Sequence, residues 1–459
     1  MRIRLPLAAL LLAGCAPAQY KAVNPTVKKI VDEVSEERIG QIMKKLEGFG
    51  TRNIFSDDND PAHGIGAARH WIYDQFSSYS PRLQVRFDTY RVKNKGRIVR
   101  DVELHNVVAV LPGKLNPERQ FIIGGHYDSV AWLHTPEPSA EGGAQPLPDS
   151  QFGLDNLAPT APGVSDDGSG TAAVLELARV MSQYEFEKTI VFVAFTAEEE
   201  GLIGSSLYAR KARGENQIID GVLNNDIIGT EVSGNGRVDN GSLWVFSEDP
   251  DDSPSRELAR YVKEMSERYF PSLKIDMIFR SDRLGRGGDH TPFNQEGYAA
   301  VRLTTPNETY ANQHSVTDTF ANASVPYTTR AVRANAAALA SLALAPKAPV
   351  TNEPIKSGPR KGQPTTMLGR GKSRYDAALR WTNENPEPDL LGYVVVMRKS
   401  TSPDWEREIF VGNVNQYTLK DVSVDDVIFG VKAIDRDGNE SLVTPYVPGP
   451  RTKIEIETY

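Results

Sequence analysis

Apolar and polar positions along this chain fall into two regimes. From about residue 30 to 345, short continuously apolar runs alternate with longer stretches of helical spacing. The runs "NVVAVLPG" (106–113), "QFIIGG" (120–125), "KTIVFVAF" (188–195), "GVLNND" (221–226), "SLWVFS" (242–247) and "AAVRLTT" (299–305) predict strands. Several lack polar alternation, which marks strands covered on both faces. Helices are predicted over 64–79, 169–184, 253–269 and 325–344, and over 27–50 ahead of the first strand, where the pattern stops at a glycine. Such alternation predicts an α/β fold with a mainly parallel central sheet flanked by helices.

After residue 345 the pattern changes. Residues 346–372 are rich in Pro, Gly and Lys and lack any period, as a linker or irregular edge does. From 373 to 459 only short strand segments follow, "AALRWTN" (377–383), "LGYVVVMRKS" (391–400), "QYTLKD" (416–421) and "VIFGVKAIDRDGNES" (427–441). These predict an all-β sandwich.

Composition narrows the classes. A chain of 459 residues exceeds one ordinary core, which fits two domains. A net charge of −8 favours solubility and argues against a nucleic-acid partner. There are seven histidines and one cysteine, so a histidine site draws on a short list and no disulfide is formed. The N-terminus, "MRIRLPLAALLLAGCAPAQ", reads as an export signal, with Arg2 and Arg4 before an apolar region too brief to span a bilayer. The stretch "LAGC" (12–15) resembles the lipobox of bacterial lipoproteins. That resemblance implies a signal over 1–15, a lipid on Cys15 holding the chain to a membrane, and a tether over 16–29. Ordinary cleavage after "APA" (16–18), giving a soluble exported protein, is the other reading.

Acidic and histidine residues gather where predicted strands end. "GGHYDS" places His126 and Asp128 there, "GVSDDGSG" places Asp166 and Asp167 in a loop running into a helix, and "AEEEG" supplies Glu198 and Glu199. "NND" adds Asp226, and "NQHSVTDT" adds His314 and Asp318. In an open parallel sheet, ligands collect at the carboxyl ends of the strands. Carboxylates packed together repel one another unless a cation intervenes, and two histidines with three carboxylates suit a pair of zinc ions.

In their order and context, "HYDS", "GVSDDGSG", "AEEEGLIGS", "NND" and "HSVTDT" resemble the co-catalytic zinc exopeptidases of the aminopeptidase S and aminopeptidase Y type. Glutamate carboxypeptidase II and transferrin receptor are more distant relatives. The resemblance covers about residues 30–345. It implies two Zn2+ per chain, with Asp166 bridging both, His126 and Asp226 completing one site, and Glu199 and His314 completing the other. Glu198 is then the general base for the bridging water, and Asp128 and Asp318 fix the imidazoles of His126 and His314. Spacing alone leaves Asp166 and Asp167 open as ligand or helix cap; the resemblance assigns the bridge to Asp166 and leaves the cap to Asp167. Glu200 is expected to face solvent.

Further expectations follow from the same resemblance. "GRGGDHTPFNQEG" (285–297) is similar to a segment lining the substrate cleft, which brings Asp289, His290 and Phe293 to the pocket. Relatives carry tyrosine before the ligand histidine; here Gln313 stands there, leaving Tyr310 as a replacement oxyanion donor. The Pro-rich insertion 131–162, with His134, is either a lid or a solvated loop. His63, His70 and His105 carry no motif and read as structural. The C-terminal segment resembles a fibronectin type III domain, with Trp381 in its core and a partner that is unknown. The implied activity is release of N-terminal residues from peptides with a free N-terminus. A carboxypeptidase or dipeptidase of the same fold, or a non-catalytic binding protein, are the alternatives.

Overall fold

The computed structural model describes residues 23–134 and 153–447, except 359, 383, 384 and 386. The export signal with Cys15, the first part of the tether and residues 135–152 of the insertion lie outside the described residues. Two helices, α1 (Pro25–Asp32) and α2 (Glu36–Glu47), occupy the stretch expected to form one. Ser35 is extended and its hydroxyl accepts from Arg38 N at 3.3 Å, so it caps a fresh helix and breaks the pattern. Helix α1 begins inside the expected tether, with Asn24 as its cap.

Helix α3 (Gly64–Tyr79) leads into an eight-stranded sheet. Its strands are β1 (Gln84–Val92), β2 (Val102–Leu111), β3 (Asn116–His126), β4 (Lys188–Phe195), β5 (Ile218–Asn225), β6 (Ser242–Ser247), β7 (Lys274–Ile278) and β8 (Ala300–Thr304). The spatial order is β1-β2-β4-β3-β5-β8-β6-β7. The central four, β4, β3, β5 and β8, are mutually parallel. The flanks differ from expectation: β1 and β2 run antiparallel to their neighbours, and β6 is antiparallel to β8. The sheet is therefore mixed. Its edge strand β1 is half-exposed and alternates in polarity, as antiparallel edges do.

Helices α4 (Ser169–Met181), α5 (Ile203–Gly214), α6 (Pro254–Tyr269), α7 (His290–Gln295) and α8 (Val325–Leu344) complete the layers. Alternate strand residues point to opposite faces. Val107, Phe121, Ile123, Phe192 and Leu223 join the large core under α1 to α4, α6 and α8. Val108, Ile122, Val191, Val193 and Val222 meet Tyr208, Ala209 and Phe293 of α5 and α7. With both faces covered, the ends of the parallel strands are the open edge of this layer.

The C-terminal part holds two antiparallel sheets around one core. The first is β11 (Leu368–Gly369), β12 (Ala377–Arg380) and β15 (Gln416–Leu419); the second has the order β14 (Arg407–Gly412), β13 (Leu390–Lys399), β16 (Val427–Asp435), β17 (Thr444–Pro445). Trp381, Tyr393, Val395, Phe429 and Val431 fill the space between them. The segment 346–372 is more ordered than a linker, with a hairpin of β9 (Asn352–Pro354) and β10 (Pro364–Thr366).

Charged groups lock this module onto α6 and the turn that precedes it. Arg398, buried, meets Asp251 and Asp252 at 2.6 and 2.5 Å. Lys432, 2% exposed, pairs with Glu440, with Glu408 at 3.1 Å and with Glu264 at 3.7 Å. Removing one partner of a buried ion pair leaves the others uncompensated, so Lys432→Met should cost about 3–5 kcal/mol. A urea unfolding series on the wild type and the variant measures that loss.

Candidate metal centre

The parallel strands deliver their side chains to one edge. His126 is the last residue of β3, Glu198 and Glu199 follow β4, and Asp226 follows β5. Asp166 comes from the turn entering α4, and His314 from the loop after β8. The backbone at this edge is tightly constrained. Ala197, Ile227 and His314 are all left-handed, and the Asp166–Asp167 peptide is cis. Gly170 has no room for a side chain, since a Cβ there would lie 2.3 Å from both Asn225 O and Asp167 Oδ2.

Three carboxylates and one guanidinium hold these segments. Asp167 accepts from His126 N, Gly170 N and Ile227 N at 3.1, 2.9 and 3.2 Å, so it ties three segments together and caps α4. Asp128 accepts from the amides of Glu198 and Glu199 at 3.3 and 3.2 Å. Its carbonyl oxygen lies 3.1 Å from His126 Nδ1, a contact that in a neutral imidazole places the proton on Nδ1 and turns the Nε2 lone pair toward Asp166. Asp318 binds the amides of Ser165 and Asp166, each at 2.9 Å. That corrects the expectation for Asp318: it positions the Asp166 turn, and its carboxylate is committed to backbone amides rather than to the His314 imidazole. Arg52, fully buried, donates to Tyr127 O, Leu46 O, Pro162 O and Gly163 O at 2.6 to 3.1 Å. It joins the end of β3 to the Asp166 turn. Arg52→Ala would strand four buried carbonyls, so a loss of about 3 kcal/mol or more is expected in thermal or urea unfolding.

The candidate ligand atoms converge. Asp166 Oδ1 lies 3.1 Å from His126 Nε2, and Asp166 Oδ2 lies 3.2 Å from His314 Nε2. His314 Nε2 is 3.0 Å from Glu199 Oε2, and His126 Nε2 is 4.0 Å from Asp226 Oδ1. Two triads have all their ligand atoms within 4.8 Å, His126 with Asp166 and Glu199, and His126 with Glu198 and Asp226. Burial pulls the His126 imidazole down, but the Asp166 carboxylate and its acidic neighbours hold it well above its usual value. His314 behaves alike, through Glu199 and Asp166. Asp166 is pushed up by burial yet lies well below the usual range, because both imidazoles face it. Burial and neighbouring acids push Glu198 and Asp167 well up, and Asp128 to about 6. Two imidazoles do not balance this many buried acids, and the donor set, imidazole nitrogen and carboxylate oxygen around a shared Asp166, fits zinc.

Other expected residues are placed differently. Glu200 is buried rather than solvated, with Oε1 3.4 Å from Asn53 Nδ2, because the segment at 53 folds over it. Tyr310 is 70% exposed and is not among the residues that line the cleft. Phe293 belongs to the core beside Phe195 and Tyr208. Asp289 and His290 are fully buried; His290 Nε2 meets Ser281 O at 2.7 Å, and burial pushes Asp289 up to about 7. A Cβ at the neighbouring Gly288 would lie 3.1 Å from Asp226 Oδ2, 3.2 Å from His290 Nδ1 and 3.3 Å from Arg302 Nη1, so this turn packs tightly behind Asp226. His134 is exposed. Arg302, not anticipated, pairs with Asp226 Oδ1 at 3.0 Å and with Asp282 at 3.2 Å. A lone arginine inside the apolar run "AAVRLTT" was its one sequence signal, since a buried arginine needs carboxylate partners.

The family model of Peptidase family M28 matches residues 106–340. A probable zinc metalloprotease of Pyricularia oryzae is 32% identical, covering 95% of this chain and 90% of its own length. One from Phaeosphaeria nodorum is 33% identical over 90% of this chain and 86% of its own. Among solved structures, LapB from Legionella pneumophila shares the fold with a TM-score of 0.53 at 19% identity, covering 71% of this chain and 76% of that one. An aminopeptidase from Aneurinibacillus sp. strain AM-1 gives 0.50 at 16% identity, over 68% and 95%.

Proposed function

The chain belongs to Peptidase family M28, the zinc metallopeptidases, and on that premise we propose that it is a dinuclear aminopeptidase removing N-terminal residues from peptides. The observation that carries the reading is the placement of Asp166, whose two oxygens each face a different imidazole at 3.1 and 3.2 Å. Asp166 would be shared by both metals, with His126 and Asp226 on one side and Glu199 and His314 on the other. Zinc bound there supplies Lewis acidity toward the scissile carbonyl and makes water acidic near neutral pH.

Glu198 is the proton carrier in this reading. Of the two adjacent glutamates, Glu199 is buried against His314, whereas Glu198 stays partly open to the cleft. Its carboxyl is pushed up by burial and by its acidic neighbours Asp226 and Glu199. It takes the proton of the attacking water and gives it to the leaving amine. Asp128 fixes both glutamates by their amides and so holds Glu198 in place.

The aminopeptidase direction is supported by the solved relatives, several of which are described as aminopeptidases. Two antiparallel sheets of three and four strands support the fibronectin type III reading of the C-terminal part. The N-terminal pattern supports export with a lipid on Cys15. Hydrolysis of one peptide with a free and with an acetylated N-terminus tests the activity. Cleavage of the free form alone is expected; cleavage of the blocked form, or only from the C-terminus, would replace the reading with another exopeptidase of this family.

A further inference from the structure

We propose that Arg286 recognises a carboxylate held next to the scissile bond, so that the enzyme selects acidic substrates. This rests on the aminopeptidase reading above and names its substrate class.

The cleft over Glu198, Asp166 and His314 has a volume of about 360 Å3. Arg97, Arg283 and Arg286 wall it, and among the described residues Leu202 is the one large apolar side chain lining it. A site for a bulky apolar N-terminal residue needs apolar walls; here, beyond Glu198 and the candidate ligands Asp166, Glu199, Asp226 and His314, the charged lining residues are these three arginines.

The three guanidiniums differ in how far they are committed. Arg97 Nη1 donates to Glu199 O at 3.1 Å. Arg283 is hemmed in, with Nε on Asp282 at 3.1 Å and Nη1 on both oxygens of Glu308 at 2.9 Å. Arg286 uses Nη1 alone, on Glu308 Oε2 at 3.0 Å and Gln313 Oε1 at 3.2 Å. Its Nε and Nη2 meet no acceptor among the described residues, and its side chain is 31% exposed. Gln313 in turn donates to Asp166 Oδ2 at 3.1 Å, so Arg286 stands one side chain from the proposed bridging carboxylate.

Charge leaves room for an anion. Glu308 is shared by Arg283 and Arg286, and Asp282 is shared by Arg283 and Arg302. Two carboxylates thus serve three guanidiniums, because the remaining partner, Asp226, is a proposed metal ligand. A planar guanidinium with an uncommitted edge matches a carboxylate in shape and charge. That carboxylate belongs either to an N-terminal Asp or Glu side chain or to the free C-terminus of a dipeptide.

Two substrate pairs separate these sources in the zinc-loaded enzyme. One pair is tripeptide amides beginning with Glu or Gln; the other is an Ala-Ala dipeptide and its C-terminal amide. The wild type should favour the carboxylate member of one pair by about tenfold to a hundredfold in kcat/KM. Arg286→Met should erase that preference, its loss on the carboxylate member exceeding its loss on the uncharged member by about the same tenfold to hundredfold. Arg286→Glu, a second variant, should disfavour the acidic member outright. No preference in either pair, or an equal loss on all substrates in Arg286→Met, would overturn the proposal. A binding measurement keeps it separate from the activity. Calorimetry of the same four peptides on Glu198→Gln, with and without Arg286→Met, should show the same preference appear and vanish. If no peptide with a free N-terminus is cleaved, the aminopeptidase reading fails, and the calorimetry alone decides the role of Arg286.

Discussion

Replacing Glu198 with glutamine is expected to lower kcat by about a hundredfold to ten-thousandfold while leaving bound zinc unchanged. Glutamine keeps the volume and the hydrogen-bonding reach of the side chain but cannot carry the proton. The carboxylate is positioned by the Glu198 amide, held by Asp128 at 3.3 Å, so the variant side chain should occupy the same place. Metal content by mass spectrometry and single-turnover rates on one substrate make the comparison. The informative alternative is loss of zinc in this variant. One of the two triads contains Glu198 within 4.8 Å of His126 and Asp226. Loss of metal would therefore make Glu198 a ligand and transfer the proton-carrying role to another group.

Asp166→Ala should have the opposite signature, with metal affinity falling at least about a hundredfold and activity falling with it. The reason is geometric: this one carboxylate faces both His126 and His314, so its loss opens both halves of the centre. Zinc-dependent thermal stabilisation provides the readout, since a ligand that binds the native state raises the melting temperature with its concentration. Wild-type protein should gain stability on adding zinc and the variant should not. A variant that still bound zinc at wild-type affinity would remove Asp166 from the centre of the account, and the neighbouring Asp167 would not replace it easily. Asp167 already accepts three backbone amides, which commit its carboxylate to holding the backbone.

Much of the fold was legible because burial on both faces writes itself into composition. Strands β3, β4 and β5 each carry an uninterrupted apolar run, over 121–125, 190–195 and 221–223, and the structure places them at the centre of the sheet. Strand β1, "QVRFDTYRV", was not, because it lies at an edge and alternates with charged residues. The direction of the flanking strands was not legible either, since residue type does not record which way a strand runs. At the site, the candidate ligands were visible as motifs at strand ends, where the geometry gathers them. Their supports were not. Arg52 acts through backbone carbonyls far away in sequence, a relation that leaves no spacing to read. Asp318 likewise serves amides 152 and 153 residues away. The burial of Glu200 depends on Asn53, brought over it by tertiary structure.

The most direct test of a dinuclear centre is a titration of metal-free protein with zinc, following bound metal and peptide hydrolysis together. A dinuclear centre predicts saturation at about two zinc ions per chain, with full activity reached only as the centre fills. Saturation at about one ion per chain with full activity, or binding that leaves activity unchanged, would contradict a centre shared through Asp166.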